Sequence, residues 1–411
     1  MATLCGALLT TPAAWSADLW QLYQNALNTD PQYRAAVANG AAGEEAVAQA
    51  RASLLPQINA SWSQSDIRSE SEPGTLVFGG TPFPTNPSTT TSDSTNWSLS
   101  LSQQIYHHDS WLGLSIAEKQ VEQARLSVKA ERQALAVRLA EAYFELLAAQ
   151  DNLEFAQAEK ASFAKQLEQT RQRFKVGLSA VTDVNEAQAR FDQAVANEIL
   201  AQNTLDNARE GIRQIIGKYP ETLVPLKDKL PLESPKPADI EAWVRMAEEN
   251  NILLLSQRLA VEIARARIKQ SEAGHLPTVD LIASYSNNDT DGSNNGNAFS
   301  NGGNDRRIML QVNVPIFSGG RTSSAVRQAQ ADFTRATQDL EKTRREVVRN
   351  TRSAYLGVMA SVASIQALKQ SLISSQSALD ATQAGFEVGT RTMVDVLQAT
   401  TALFNAKRNL A

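Results

Sequence analysis

Two long stretches without proline constrain the fold of this 411-residue chain most strongly. No proline occurs from Ser88 to Tyr219 or anywhere after Pro315, and both stretches are rich in helix-favouring residues. Apolar residues recur at spacings of three and four from Trp111 to Val176. This spacing predicts one helix of ~65 residues, about 100 Å long, with a heptad-like seam. A second such rod is predicted from Arg321 to about Glu387.

Four short segments follow a period of two instead. In each of them apolar residues alternate with Ser, Asn, Gln or Thr, which predicts strands with one apolar and one polar face. The paired segments are separated by 68–94, with four prolines, and by 287–304, with repeated Asn and Gly, and we expect both to be long loops. The alternating apolar residues are Ile58, Ala60 and Trp62; Trp97, Leu99, Leu101 and Ile105; Val279, Leu281, Ala283 and Tyr285; and Ile308, Leu310, Val312, Val314 and Ile316.

Four strands of this kind have two interpretations. They could form a small soluble sheet, or part of a transmembrane β-barrel that is apolar outside and polar inside. Because four strands cannot close a barrel and lipid does not tolerate an open sheet edge, the barrel interpretation requires two, three or four chains. The long rods, together with an export signal, favour the barrel.

The beginning of the chain has the features of that export signal. Apolar and small residues from Leu4 to Leu9 lead to small residues around Ser16, as at the end of a secretory signal peptide. Cys5 is the only cysteine, which excludes an intrachain disulfide and a CxxC zinc site. A net charge of −5 argues against a nucleic-acid partner. No uninterrupted apolar run reaches the ~18 residues of a membrane-spanning helix, so a membrane protein with several spanning helices is not expected.

The chain also contains an internal duplication. Residues 174–197 align with 386–409 at a constant offset of 212, with eight of 24 positions identical, and Leu55-Pro56 matches Leu276-Pro277. Each half is predicted to run helix, strand, loop, strand, long helix, tight turn, helix. The expected organisation is a signal-peptide remnant at 1–17, a helix at 18–54, a β-hairpin at 55–107, a helical hairpin at 108–217 with its turn at 176–182, a Pro-rich linker at 218–238, a helix at 239–275, a β-hairpin at 276–317, and a helical hairpin at 318–411 with its turn at 388–394 and a last helix that is cut short.

Four segments of the sequence are similar to segments of a known protein family. They are RQRFKVGLSAVTDV (171–184), DNAREGIRQIIG (206–217), GHLPTVDL (274–281) and VGTRTMVDVLQATTALFNAKRNLA (388–411). With the duplicated halves and the export signal, they closely resemble the TolC family of outer-membrane channels, and the resemblance covers nearly the whole chain.

The resemblance implies an α+β membrane protein that assembles as a homotrimer. Its twelve strands would form one barrel in the outer-membrane lipid, and its helices a long coiled-coil cylinder across the periplasm. The implied function is a passive exit duct for tripartite drug efflux, type I protein secretion or both. The implied partners are a periplasmic adaptor (membrane fusion protein) and an inner-membrane transporter of the RND or ABC type, which meet the duct at its periplasmic tip.

The two Val-Gly turns would form that tip. Thr182, Asp183 and Asp395 lie at helix starts, where capping alone is a sufficient explanation for Thr and Asp. The resemblance implies instead that Asp395 projects into the pore and forms a ring of three carboxylates, which concentrates cations. The family has a second Asp where this chain has Gln398, so we expect weaker cation selectivity.

The resemblance also implies a gate and a docking surface. Arg391 matches the gate arginine that bonds to an aspartate at the position of Asp183. A second link, from a tyrosine to the threonine matching Thr182, is not expected, because Phe386 occupies the tyrosine position and has no hydroxyl group. The adaptor would dock on small and exposed residues of the turns, namely Gly177, Leu178, Gly389 and Thr390.

Other chemistry is not expected. The sequence contains no nucleophile–base set, no paired-carboxylate motif and no nucleotide-binding fingerprint, so we predict that the chain is not an enzyme and needs no cofactor. His107, His108 and Asp109 are adjacent polar residues, which disfavours a metal site. The alternative function is a periplasmic coiled-coil scaffold or adaptor, whose strands would form a soluble domain.

Overall fold

The computed structural model describes residues 18–220, 223–226 and 233–411. The predicted signal peptide at 1–17 and part of the predicted linker at 218–238 lie outside these residues. The described elements are α1 (Leu19–Thr29), α2 (Pro31–Ala52), β1 (Gln57–Ser71), β2 (Gly74–Phe78), β3 (Thr81–Thr85), β4 (Ser88–Tyr106), α3 (His108–Lys175), α4 (Val181–Ile216), α5 (Ile240–Asn250), α6 (Ile252–Glu272), a 3₁₀ turn (Ala273–His275), β5 (Thr278–Asn294), β6 (Asn297–Asn313), α7 (Arg321–Glu387) and α8 (Met393–Leu410).

The chain divides into two compact units. Of the described residues, the helical unit comprises those within 18–39, 126–255 and 343–411, and the sheet unit comprises 40–125 and 256–342. The two long helices have 68 residues (α3) and 67 residues (α7), as the proline-free stretches predict.

The helical unit is held together by an apolar seam of α3. Leu135, Leu139 and Leu146 are buried there at helical spacing. They belong to one core cluster with Leu22 and Ala26 of α1 and with Leu205, Ile212 and Ile216 of α4. Spacings of four and seven place these leucines on one stripe of the helix, so a single face of α3 meets its neighbours.

The predicted continuous helices at 18–54 and 239–275 are each broken, which corrects the sequence analysis. Asp30 and Asn251 have extended backbone conformations (ψ 120° and 123°). Pro31 forces Asp30 out of the helical region. The two side chains then cap the next helix, because Asp30 accepts from the Tyr33 N–H (2.6 Å) and Asn251 from the Leu254 N–H (3.2 Å).

The sheet unit contains a four-stranded antiparallel sheet in the order β1-β4-β5-β6. Its register aligns residues of one kind across the strands, since Ile58, Leu101, Ala283 and Ile308 form one row. Within the described chain the outer edges of β1 and β6 pair with no further strand.

The two predicted loops are wrong in extent. Instead of a loop at 287–304, β5 and β6 pair along their whole length and are joined by Asn295-Gly296, both with positive φ. Asn-Gly with this backbone is the favoured two-residue hairpin turn. In 68–94, β1 and β4 extend to Ser71 and from Ser88, and the small β2–β3 hairpin lies between them. The last of the four predicted strands, β6, ends at Asn313, so Val314 and Ile316 lie outside it.

Candidate functional site

The first candidate turn joins α3 to α4. Gly177 has φ +79°, the left-handed conformation that ends many helices and that glycine adopts without strain. Its N–H donates to the Phe174 carbonyl (3.0 Å), and the Leu178 N–H donates to the Arg173 carbonyl (2.8 Å). These two bonds satisfy carbonyls that the helix end leaves free. The turn exposes the apolar side chain of Leu178, which is 69% accessible to solvent.

The second turn, between α7 and α8, repeats this geometry at an offset of 212 residues. Gly389 has φ +80° and donates to the Phe386 carbonyl (3.2 Å). The Thr390 N–H donates to the Gly385 carbonyl (2.8 Å), and the Thr390 hydroxyl donates to the same oxygen (3.0 Å). The duplication seen in the sequence is therefore also a duplication of backbone hydrogen bonds.

Asp183 and Asp395 cap the helices that follow the turns. The Asp183 carboxylate accepts from the Ser179 hydroxyl (2.7 Å) and the Ala180 N–H (3.2 Å). The Asp395 carboxylate accepts from the N–H and the hydroxyl of Thr392, both at 2.9 Å. The backbone bond from Thr392, then its hydroxyl bond and the nearby Arg391 charge, lower the pKa of Asp395 below its ordinary value.

The other predicted gate and pore residues do not meet within one protomer. Arg391 is exposed, and among the described residues its guanidinium makes no hydrogen bond or ion pair with Asp183. Thr182 and Gln398 are exposed, and Phe386 is half-buried. The Arg391–Asp183 link stays a prediction that concerns the assembly.

One apolar core lies beneath both turns and joins the two halves of the duplication. It contains Phe163 and Leu167 of α3, Ala187 and Ala194 of α4, Leu379 of α7, and Met393, Val396, Leu397 and Leu403 of α8. Phe386 packs against this cluster. The glycine turns are thus anchored on a shared core, and a shift in one helical hairpin must disturb the other.

Sequence reasoning missed two residues at the turns, Ser179 and Thr392. Thr392 caps α8 reciprocally, since its hydroxyl oxygen also accepts from the Asp395 N–H (3.2 Å). The signal was present as Thr-x-x-Asp, the spacing of a capping box. Ser179 lies four residues before Asp183, a spacing that has no comparable signature.

The four-stranded sheet is the second functional surface. The row Ile58–Leu101–Ala283–Ile308 and the neighbouring apolar positions share one face, whereas Ser61, Ser98, Ser286 and Asp305 align on the other. Large apolar side chains on the first face are exposed in the protomer, with Trp62 at 66% and Ile308 at 83%. A continuous face of exposed large apolar side chains is unusual on a surface in contact with water.

The polar cluster at the end of β4 is more enclosed than predicted. The His107 side chain is only 16% exposed, and its Nε2 lies 3.0 Å from an Asp280 oxygen, with Asp109 3.7 Å from Nδ1. Residues in the described ranges include no group of three His, Cys, Asp or Glu arranged to hold a metal ion. The cluster instead ties the β4–α3 corner to β5.

Comparison with known proteins agrees with this architecture. The family model described as "Outer membrane efflux protein" matches residues 22–218 and 243–411. Outer membrane protein TolC of Vibrio cholerae is 40% identical over 399 residues, covering 97% of this chain and 87% of that protein. Alkaline protease secretion protein AprF of Pseudomonas aeruginosa is 32% identical, covering 100% of this chain and 84% of that protein.

A solved structure shows the same fold. The outer membrane protein VceC from Vibrio cholerae superposes with a TM-score of 0.73 at 20% identity, over 95% of this chain and 91% of that one. Fold, sequence and turns together define an outer-membrane channel for efflux or secretion. The chain belongs to the outer membrane efflux protein family, and the resemblance to the TolC family is confirmed. The scaffold alternative is set aside by this result.

Proposed function

We propose that three copies of this chain form a passive duct, with a twelve-stranded barrel in the outer membrane and a helical cylinder that closes at the two glycine turns. The duct is opened at that periplasmic tip by an adaptor and an inner-membrane transporter, which supplies the energy. The exported cargo is drugs, secreted protein or both.

The four-stranded sheet is the main support for this proposal. Its exposed apolar face suits lipid, its other face is polar, and both outer edges are unpaired in the described chain. Backbone groups at a sheet edge must find partners in lipid, so β6 of one protomer pairs with β1 of the next. At 15 to 19 residues, the four strands are long enough to cross the apolar layer at a tilt and to extend beyond it.

Helix α7 supports assembly independently. An 18-residue window of α7 is apolar enough, by length and composition, to cross a membrane, and none of the window is buried in the protomer. Exposed apolar residues of this helix include Leu356 at 59% and Ile373 at 60%. Packing against neighbouring helices in the cylinder covers such a stretch and gains the free energy of apolar burial.

At the tip we propose separate roles for the pore and for docking. Asp395 of three protomers forms an acidic ring that attracts cations, and Gln398, one helical turn further on, adds no charge to it. The adaptor docks on Gly177, Leu178, Gly389 and Thr390, where exposed backbone and small side chains permit close approach.

We propose that Arg391 holds the tip closed. In the assembly, the exposed guanidinium of Arg391 can reach Asp183 on a facing helix. Thr182 lies next to Asp183 on that helix. The Asp183 carboxylate already accepts two bonds, but a carboxylate has about four acceptor positions, so a bond from arginine can be added. Phe386 contributes no hydroxyl bond to this closure.

Single-channel conductance in planar bilayers tests the proposal. The wild type is expected to show small, cation-preferring openings, and Arg391→Ser is expected to raise the conductance severalfold because the closing bond is lost. Arg327→Ser is the matched control, since Arg327 is an exposed arginine of α7 far along the chain from the turn. It is expected to behave as the wild type.

Two results would contradict the proposal in different ways. A large conductance already present in the wild type would retain the barrel and eliminate the Arg391 gate. Folded protein that gives no conductance in any form would eliminate the duct itself.

A further inference from the structure

A cation–π contact joins the two helical hairpins directly beneath the turns. The guanidinium carbon of Arg173, near the end of α3, lies 4.6 Å from the centroid of the Phe386 ring, near the end of α7. Arg173 is four residues before Gly177, and Phe386 is three residues before Gly389. The contact therefore connects the last turns of the two helices that lead into the tip.

The duplication makes this contact asymmetric. At the offset of 212 residues, Phe174 corresponds to Phe386, and Arg173 corresponds to Gly385. The second half therefore has no arginine to place over Phe174, and no cation lies over that ring in the described chain. Only one of two equivalent rings is used, so the contact is a particular feature of the α3–α7 junction and does not follow from the repeated helix end.

The arginine is partly withdrawn from water at this point. Its Nε is buried, and in the described part of the chain it has no hydrogen-bond partner. Arg173 and Phe386 line one cleft of about 510 Å³, whose walls also include Gln166, Glu387 and Met393. A cation interacts more strongly with an aromatic face when water is excluded. The contact with the Phe386 ring therefore partly offsets the hydrogen bond that Nε of Arg173 lacks.

We propose that Arg173 is a further gate-positioning residue, whose guanidinium, stacked on Phe386, fastens the end of α3 to the end of α7 in the closed tip. This inference rests on the proposed function, in which the tip opens when the two helical hairpins separate. Opening exposes both partners to water and weakens the contact. The contact therefore favours the closed state without a hydroxyl group on the ring.

Conductance of the complete trimeric channel in planar bilayers tests the inference. Phe386→Leu and Arg173→Gln each remove the stacking, and we expect the open fraction to rise on the order of tenfold in both. Phe386→Tyr keeps an aromatic face and is expected to remain closed like the wild type. Phe174→Leu is the matched control at the other turn, because that ring carries no cation, and it is expected to leave the open fraction unchanged.

Thermal unfolding of the same variants separates gating from stability. If Phe386→Leu and Arg173→Gln lower the unfolding temperature but leave the open fraction at the wild-type level, the contact is only structural and the inference is wrong. Equal effects of Phe174→Leu and Phe386→Leu would also overturn it. Should Arg391→Ser open the channel while the Arg173 and Phe386 variants do not, this inference alone fails. Should none of these variants change the conductance, the tip gate of the proposed function fails with it.

Discussion

Thr392 and Asp395 bind each other at the start of α8 through three hydrogen bonds. The carboxylate accepts from the Thr392 N–H and hydroxyl, and the hydroxyl oxygen accepts from the Asp395 N–H. The same carboxylate is the one proposed to form the acidic ring of the pore. A residue that caps a helix is held in one position, so the cap also orients the charge.

The first prediction concerns the ionisation of Asp395. Its pKa lies below 3.8, its ordinary value, first because of the backbone bond from Thr392 and then because of the hydroxyl bond. Thr392→Val removes both hydroxyl bonds, the one donated to the carboxylate and the one accepted from the Asp395 N–H, and keeps the backbone bond to the carboxylate. The pKa should therefore rise part of the way back. A pKa that is lower in the folded protein stabilises the fold at pH values above the ordinary pKa, and this contribution is lost as the pH falls from the ordinary pKa through the lowered one. In the variant this contribution should be smaller, and its loss should be complete at a higher pH than in the wild type.

Carboxyl NMR titration of Asp395 and the pH dependence of cation preference are the two measurements. The cation preference should be lost at a higher pH in Thr392→Val than in the wild type. Thr390→Val provides the control, because the Thr390 hydroxyl bonds to the Gly385 carbonyl and not to Asp395. An unchanged titration in Thr392→Val would show that the hydroxyl bond does not act on the carboxylate.

A second prediction concerns the seam of α3. Leu139 is fully buried, whereas Val137, two residues earlier on the same helix, is 56% exposed. Leu139→Ala should lower the free energy of unfolding by about 2–5 kcal/mol, because it removes apolar burial and leaves a cavity. Val137→Ala should change it by less than about 0.5 kcal/mol. Denaturant unfolding of both variants measures the difference, and similar effects would refute the proposed packing of the seam.

A third prediction concerns the buried charge of Glu159. Its side chain is 3% exposed and pairs with Arg408 of α8 at 2.8 Å. Arg408→Ala should destabilise the protein by about 3–5 kcal/mol, because it leaves a carboxylate buried and unpaired. In the same unfolding assay, Arg209→Ala, which breaks the exposed pair with Asp206, should cost less than about 1 kcal/mol. The idea fails if the two arginine variants are equally stable.

A fourth prediction concerns like charges in the sheet. The register places Asp66, Asp93 and Asp291 directly opposite one another on β1, β4 and β5. Carboxylates in this arrangement repel, so Asp93→Asn should stabilise the sheet by about 0.2–1 kcal/mol. Asp289 lies opposite Thr95 and Gly302, and Asp289→Asn should give no comparable gain. Unfolding midpoints compared at equal ionic strength test this, and a loss of stability in Asp93→Asn would contradict it.

Much of the fold follows from local features of the sequence. The absence of proline and the spacing of apolar residues at three and four positions predicted α3 and α7. Both features reflect requirements of a single helix and do not depend on distant residues. Gly177 and Gly389 marked the turns, since the ability to adopt a positive φ without strain is a property of glycine itself. The helix breaks were missed, although Pro31 signalled the first of them; the capping of α6 by Asn251 had a weaker local signal.

The long strands were underestimated for a different reason. Along 287–304 both faces are polar, so no alternation of apolar and polar residues reveals the strand period. Residues 287–294 pair with β4, far along the chain, as where Thr91 pairs with Ser293 and their hydroxyls meet at 3.0 Å, and residues 297–304 pair with β5 across the Asn295-Gly296 turn. Composition does not predict the ladder between β4 and β5, because its partner strand is supplied by the other half of the duplication.

The helical rods, the two glycine turns, the duplicated halves and the family could all be predicted from the sequence, because periodicity, backbone preference and motif are local properties. Which side chains meet across the helices is evident only in the folded protein. Arg173 lies over Phe386, and Glu159 is buried against Arg408. These contacts depend on helix rotation and register, which packing of the whole core sets.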